Sequence, residues 1–384
     1  MIRLLELLAV PPVLAAGYLL LLTAASRRAS VPRTARGRTR FDVVVPAHDE
    51  ERGIPRTVQS LLATDYAPEL RRVLVVADNC ADSTAARAAA AGARVLVRDD
   101  PARRGKGRAL AFAFERSLAD GFADAIVVVD ADSIVSPNLL SAFAARLERG
   151  ALAVQAGASV LNRDDSCRTR LMALALTLFN GVRSLGRENL GLSCGLRGNG
   201  MCIATAALVA HPYEAFSLVE DLEYGIELAR AGVRVRYAAE AAVASEIVSS
   251  SGAAASQRRR WEQGRAGLAR RLIVPVLRDA LARRSLLLFD VAADLLVPPL
   301  SSLVLMLVAG LVAALLVSAP SWPWLAGLAL VAVYLARGWS LSGLGASGLR
   351  ALAWAPLYVV WKLCTVSRAA PREWIRTARE AGAP

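Results

Sequence analysis

The chain is expected to fold as an α/β protein, with one open, mostly parallel sheet in its middle and about three membrane-crossing helices on its flanks. Three features of the 384 residues lead there. Between residues 41 and 130, short aliphatic runs alternate with helix-period segments, the pattern of parallel strands joined by helical crossovers. Two long apolar stretches, 4–25 and 286–336, stand outside that region in a composition that is 55% hydrophobic. Arginine-rich segments adjoin both of them.

Residues 4–25 (LLELLAVPPVLAAGYLLLLTAA) carry one charge, Glu6, in about the length that crosses ~30 Å of hydrocarbon. The run is long for the apolar part of a cleaved leader, and the basic stretch RRASVPRTARGRTR follows it, so residues 1–26 are expected to be a transmembrane helix. FDVVVPA is a first strand closed by Pro46, and IPRTVQSLLAT places Ile54, Val58, Leu61 and Leu62 on one helical face. RRVLVVAD is a second strand, and DSTAARAAAAGA a helix that Asp82 or Ser83 can cap. ARVLVRD, GKGRALAFAFERSLAD and AIVVVD continue the alternation as strand, helix and strand. Residues 40–250 are therefore assigned to the α/β domain and 251–285 to a basic segment with an interfacial helix. Residues 286–340 are assigned to two transmembrane helices separated at SAPSWPW, and 349–384 to a further interfacial helix and a basic tail. Pro11, Pro12, Pro298 and Pro299 interrupt segments that otherwise read as helical.

The formal charge is +13, and much of it flanks the apolar stretches: RRR at 258–260, RRL…RDALARR at 270–284 and SRAAPREWIRTARE at the end. The positive-inside rule puts these on the cytoplasmic face of the cell (inner) membrane, with residues 26–285 and the C-terminus inside. In that topology the apolar stretch 351–366, which contains Lys362, lies along the interface. The basic charge lacks interleaved aromatics or a recognition motif, so no nucleic-acid partner is expected. Asp290 and Asp294 are expected at the cytoplasmic entrance of a span, too few intramembrane charges for a transporter. Cysteines 80, 167, 194, 202 and 364 form no CxxC pair and there are two histidines, which argues against a structural zinc site. Cytoplasmic thiols are expected to be free.

Ligands of open α/β sheets bind outside the carboxyl ends of the strands. The first strand ends in His48, Asp49 and Glu50, the second in Asp78 and Asn79, the fourth in Asp130 and Asp132. An Asp-x-Asp turn can simply end a strand, but at a ligand edge the pair suits Mg²⁺ or Mn²⁺ together with phosphate oxygens. In VEDLEYGIELARAG, acids crowd a helix start, where the dipole favours them; Asp221 is alternatively a general base. In QRRRWEQG, the arginines are either a basic membrane anchor or a diphosphate grip, with Trp261 as a stacking surface. GLSCG at 191–195 matches a nucleophile-elbow pattern but lacks the later Asp-then-His order. RRGKGRAL lacks the spacing of a Walker loop, although Lys106 can still touch phosphate.

Taken together, VVVPAHDEE, VVADNCADST, GKGRALAFAF, VVDADS, CGLRGNGMCI, VEDLEYG and QRRRW resemble, in order, glycosyltransferase family 2. The likeness is to membrane-embedded relatives of cellulose, hyaluronan and poly-N-acetylglucosamine synthases, and it covers residues 40–265 well. The resemblance implies a GT-A, Rossmann-like fold and an inverting transfer of a sugar from a UDP-sugar donor to a hydroxyl of a polysaccharide or lipid. It implies that Pro46, Ala47, Glu50, Asp78 and Lys106 bind the nucleotide, that Asp130 contacts the sugar nucleotide, and that Asp132 with Asp130 holds Mg²⁺ or Mn²⁺. Asp221 matches the catalytic base. Cys194, Gly195, Gly198, Asn199, Gly200 and Glu220 match the acceptor side, and Gln257, Arg258, Arg260 and Trp261 match the motif that closes over diphosphate and acceptor.

Two departures shape the expected partners. The large synthases carry more transmembrane helices, so a glycolipid synthase adding one sugar stands beside a processive polymerase completed by a secretion partner protein. The stretch NLGLSCG lacks the aromatics that often precede the family's Cys-Gly. A non-catalytic, nucleotide-sensing membrane protein is the alternative of another class, and it predicts loss of acids that are present here.

Overall fold

The computed structural model describes residues 2–32, 37–247, 251–356 and 359, with the side chains of 251–260 outside it. The chain divides into two compact units. One holds residues 30–162 and 193–265, the other 2–29, 163–192 and 266–356.

The first unit is built on an eight-stranded sheet of order β3-β2-β1-β4-β7-β6-β8-β5. Its strands are β1 (Phe41–Ala47), β2 (Arg71–Asp78), β3 (Arg94–Arg98), β4 (Ala125–Val128), β5 (Ser133–Val135), β6 (Ala153–Val160), β7 (Met201–Ala204) and β8 (Val235–Ser245). β1 to β4 pair in parallel, Val43 lying opposite Val73 on one side and Val127 on the other. The aliphatic side chains of β1, β2 and β4 are buried on both faces, which is why these strands read as unbroken apolar runs, whereas Val97 of the edge strand β3 is exposed. Helices Ile54–Leu62, Thr84–Ala90 and Lys106–Asp120 make the crossovers, and Asp82, not Ser83, meets the start of the second by accepting from the Thr84 amide at 2.9 Å.

Beyond β4 the sheet is mixed. β7 runs antiparallel to β4 and β6, β8 is parallel to β6, and β5 is antiparallel to β8. The chain enters β7 through Gly198 and Gly200, whose φ values of 75° and 69° turn the backbone without a crossover helix. This topology puts the ends of β1, β2, β4, β6 and β8 and the starts of β5 and β7 on one edge.

The second unit is helical: Ile2–Ala25, Cys167–Leu176, Arg183–Asn189, Leu286–Leu296, Leu300–Leu316, Trp322–Ser342 and Gly345–Ala353. Ile2–Ala25 and Trp322–Ser342 are long and apolar enough to cross a membrane. Leu286–Leu296 and Leu300–Leu316 meet the same test only as one span bent by 67°. The bend falls at Pro298–Pro299, where neither residue can donate a backbone bond, whereas Pro11 and Pro12 are accommodated within Ile2–Ala25. Most of the 349–384 segment lies outside the described residues.

Residues 163–192 depart from the expected 40–250 boundary by joining this helical unit. The reason is a buried charge cluster. Arg187 contacts Asp290 at 2.8 Å and Asp294 at 2.6 Å, Arg183 contacts Asp294 at 3.2 Å, and the Tyr18 hydroxyl donates to Asp290 at 2.6 Å. Asp290 and Asp294, expected at the entrance of a span, are thus 7% and 8% exposed and matched by two arginines far away in sequence. Close helix approach needs small residues. A Cβ on Gly186 would lie 2.9 Å from Leu22 Cα and closer still to the Leu22 carbonyl oxygen. Gly186→Val is therefore expected to destabilise this unit by about 1–3 kcal/mol through overpacking, read as a lower unfolding midpoint with donor binding retained.

Candidate active site

Each strand that ends at the common edge delivers polar side chains there because its apolar run stops. Asp130 stands two residues beyond the end of β4. Lys106 opens the helix after β3, and its Nζ lies 2.5 Å from Asp130 Oδ1, 3.1 Å from the Gly198 carbonyl oxygen and 3.9 Å from Glu220 Oε1. Asp221, one residue on in helix Glu220–Arg230, joins them: a Cβ on Gly198 would stand 3.1 Å from Asp221 Oδ2 and 3.3 Å from Lys106 Nζ. Only glycine fits there at φ 75°. Residues from four separate stretches thus converge on one cation flanked by three carboxylates.

Charge follows from that convergence. Burial alone would lower the Lys106 ammonium, but Asp130, Glu220 and Asp221 outweigh it and hold its pKa above the ordinary lysine value, so it stays protonated. Burial, opposed by Lys106 and reinforced by Asp221, pushes Glu220 up to about 7. Burial raises Asp221 as well, against the pull of Lys106 and Arg197.

Asn199 and Gln155 hold this edge in place. The Asn199 side-chain oxygen accepts from the Asp130 amide at 3.1 Å, and its nitrogen donates to Ser133 Oγ at 2.9 Å and Ser245 Oγ at 3.1 Å. Gln155 in β6 accepts from the Arg197 amide at 2.9 Å and donates to the Asn199 carbonyl at 2.8 Å. The structure thus differs from expectation at Asn199, whose amide is engaged in tying the carboxylate turn to β5 and β8. It also differs at Cys194, which is 1% exposed with its thiol against the Arg236 carbonyl. Gly195 and Gly198 share positive φ with Gly200, so these glycines shape the loop.

The remaining expected residues fall as follows. Pro46 and Ala47 end β1, and the Glu50 amide donates to Thr84 Oγ1 at 2.7 Å. Asp78 ends β2, ion-paired with Arg98 at 2.6 Å. Asp132 is half-buried beside Ser133, whose hydroxyl donates to it at 3.2 Å. Trp261 is exposed on helix Ser251–Arg283. The side chains of Gln257, Arg258 and Arg260 lie outside the described ones. No pattern in the sequence points to Tyr213, which is buried between the Phe114 and Tyr224 rings and subject to the Glu220 and Asp221 charges. Its hydroxyl has no hydrogen-bond partner among the described residues. Gln155 was detectable, as a lone amide inside the apolar run ALAVQAGASV.

No third His, Cys, Asp or Glu among the described residues joins Asp130 and Asp132 at metal-holding distance. A hard carboxylate pair of this kind fits Mg²⁺ or Mn²⁺, ions that complete their shell with water and substrate phosphates.

The sequence model described as "Glycosyltransferase like family 2" matches residues 39–264, more than half of the chain, and the protein belongs to that family. An N-acetylglucosaminyltransferase of Mesorhizobium japonicum is 27% identical over 242 residues, 57% of this chain and 54% of that protein. An N-acetylglucosaminyltransferase of Sinorhizobium fredii is 28% identical over 249 residues, 61% of this chain and 59% of that one. The chain thus matches little more than half the length of these curated relatives. A solved mannosyltransferase, PcManGT of Pyrobaculum calidifontis in complex with GDP-Man and Mn²⁺, superposes with a TM-score of 0.54 at 18% identity. The match covers 91% of this chain and 98% of that one, and it supports a shared GT-A fold.

Proposed function

We propose that the protein is a membrane-bound, inverting glycosyltransferase that moves a hexosyl or N-acetylhexosaminyl group from a UDP-sugar to a hydroxyl of a lipid or glycan acceptor. The observation that carries this reading is the convergence of Lys106, Asp130, Glu220 and Asp221 at the ligand edge of the sheet. The names of the rhizobial relatives support an N-acetylhexosamine donor. Two helices able to cross a membrane, or three with the bent pair, support attachment to the cell membrane with the α/β unit on the cytoplasmic side. The small set of spans among the described residues leans toward a lipid acceptor receiving one sugar, with polymer synthesis as the second reading.

In this reading Asp221 takes the proton of the acceptor hydroxyl while that oxygen attacks the anomeric carbon. The bond to the diphosphate oxygen breaks on the opposite face, and the electron pair leaves with the nucleotide, so configuration inverts in one displacement. Lys106, fixed by Asp130, stands ready to offset the leaving charge. Such preorganised stabilisation contributes a few kcal/mol. Asp132 with Asp130 would hold a divalent cation, which when bound neutralises diphosphate charge. Pro46, Ala47, Glu50 and Asp78 frame the nucleotide, Cys194 and the glycines at 195, 198 and 200 back the acceptor loop, and Gln257, Arg258, Arg260 and Trp261 close over diphosphate and acceptor. The test is sugar transfer by the full chain with and without EDTA, beside Asp132→Ala. Loss of transfer in both supports the reading, and undiminished transfer in EDTA removes the cation from it.

The raised carboxyls set a pH dependence. Glu220 is raised to about 7 and burial raises Asp221 as well, so as pH falls the coupled pair takes up a proton and the base loses charge on the acidic side. Transfer should decline on that side. Glu220→Gln deletes one of the two neighbouring charges, so Asp221 ionises more readily and the acidic limb of kcat/KM moves to lower pH. A limb that stays in place would assign it to other groups.

A further inference from the structure

Sequence spacing argued against zinc because the cysteines form no CxxC pair, yet the fold builds a three-residue cluster from two strand ends. His48 and Asp49 follow β1, Cys80 follows β2, and parallel pairing of those strands brings them together. One ligand atom from each lies within 4.8 Å of the others, and all three residues are half-buried, so a solvent ion can reach them. Tetrahedral zinc with ordinary Zn–N, Zn–O and Zn–S bonds sets its ligand atoms about 3.3–3.7 Å apart. The His48 Nε2 to Asp49 Oδ2 separation is already 3.7 Å.

The outer contacts aim these atoms. His48 Nδ1 lies 2.7 Å from the Asp78 carbonyl oxygen, an acceptor, so Nδ1 carries the proton and Nε2 the lone pair. Asp49 Oδ1 accepts from the Ala81 amide at 2.7 Å, which turns Oδ2 toward the histidine. The Cys80 sulfur sits 3.5 Å from the Asp49 amide, a donor that partly offsets the burial holding this thiol above its ordinary pKa. A backbone partner on each ligand is the arrangement that fixes metal-binding side chains. The α-carbon of Asp49 is held at φ 53°, which lets both its carboxylate and its amide face the same loop.

We infer that His48, Asp49 and Cys80 form a second cation site, selective for a thiolate-seeking ion of the Zn²⁺ class and separate from the Asp130–Asp132 pair. A nitrogen, sulfur and oxygen set prefers Zn²⁺ over Mg²⁺, whereas the carboxylate pair has the opposite preference. Ion uptake expels the thiol proton, so binding strengthens as pH rises. Three protein ligands leave the fourth position to water or to an incoming ligand.

The test uses the purified full chain with Mg²⁺ in excess to saturate the carboxylate pair. The expected result is one Zn²⁺ per chain by calorimetry, and a thiolate-to-metal charge-transfer band when Co²⁺ replaces it. Cys80→Ser should abolish the band, and Cys80→Ser and His48→Gln should each weaken Zn²⁺ binding by at least about tenfold. Cys167→Ser, at an exposed thiol, should leave the band intact. Circular dichroism of each variant separates ligand loss from misfolding, and Zn²⁺ affinity of the folded variants decides. The inference is overturned by the absence of a band, by a band that follows Cys167, or by Zn²⁺ binding indifferent to both ligand substitutions.

Discussion

Asp221→Asn should lower sugar transfer by ~10²–10⁴-fold, the usual worth of a positioned general base. Nucleotide affinity should be unchanged. The two side chains have the same shape, so the fit against Gly198 survives while the proton acceptor is lost. The outcome is read by comparing steady-state transfer with calorimetric UDP binding. A drop in kcat and kcat/KM together marks an interaction made in the transition state. A raised donor KM at unchanged kcat would make Asp221 a binding group instead, and unchanged turnover would remove it from the mechanism. Lys106 belongs to the same test, because its ammonium helps hold Asp221 ionised in a buried site.

Arg187→Leu should be the most destabilising single change in the helical unit. Arg187 is 2% exposed and contacts Asp290, Asp294 and the Tyr18 hydroxyl. Its removal takes away the guanidinium that both buried carboxylates share, and breaking a buried pair from one side costs about 3–5 kcal/mol. The double variant Arg187→Leu with Asp290→Leu should recover part of that loss, since the unmatched charge goes too. Thermal unfolding in detergent measures both. Equal stability of Arg187→Leu and the parent would show that the cluster is hydrated and contributes little.

The strand ends that carry this account were legible because a fully buried strand has an unmistakable pattern and an acid closing it stands out. VVVPAHDE, VVADN and VVVDAD each delivered their polar residues to one edge as expected. The mixed half of the sheet was harder. Whether β7 pairs parallel or antiparallel depends on the backbone turn at Gly198 and Gly200, which the sequence records only as two glycines. Side-chain direction was likewise hidden. Cys194 and Asn199 sit in the expected loop, yet one points into the core and the other spends its amide on Asp130, Ser133 and Ser245. Residues 163–192 fall inside the 40–250 stretch assigned to the α/β domain, and they carry Arg183 and Arg187. Those arginines find their carboxylates more than 100 positions later, a pairing that no local window contains.

The central claim is sugar transfer at the β4 edge, and one measurement tests it most directly. Purified full-length protein would be incubated with Mg²⁺, a panel of UDP-sugars and extracted membrane lipids, and the products sized by mass spectrometry beside Asp221→Asn. The account predicts a lipid carrying one added sugar from one preferred donor, with the product missing from the variant. Product formed equally by Asp221→Asn, or no transfer from any donor by a folded, nucleotide-binding protein, would contradict it.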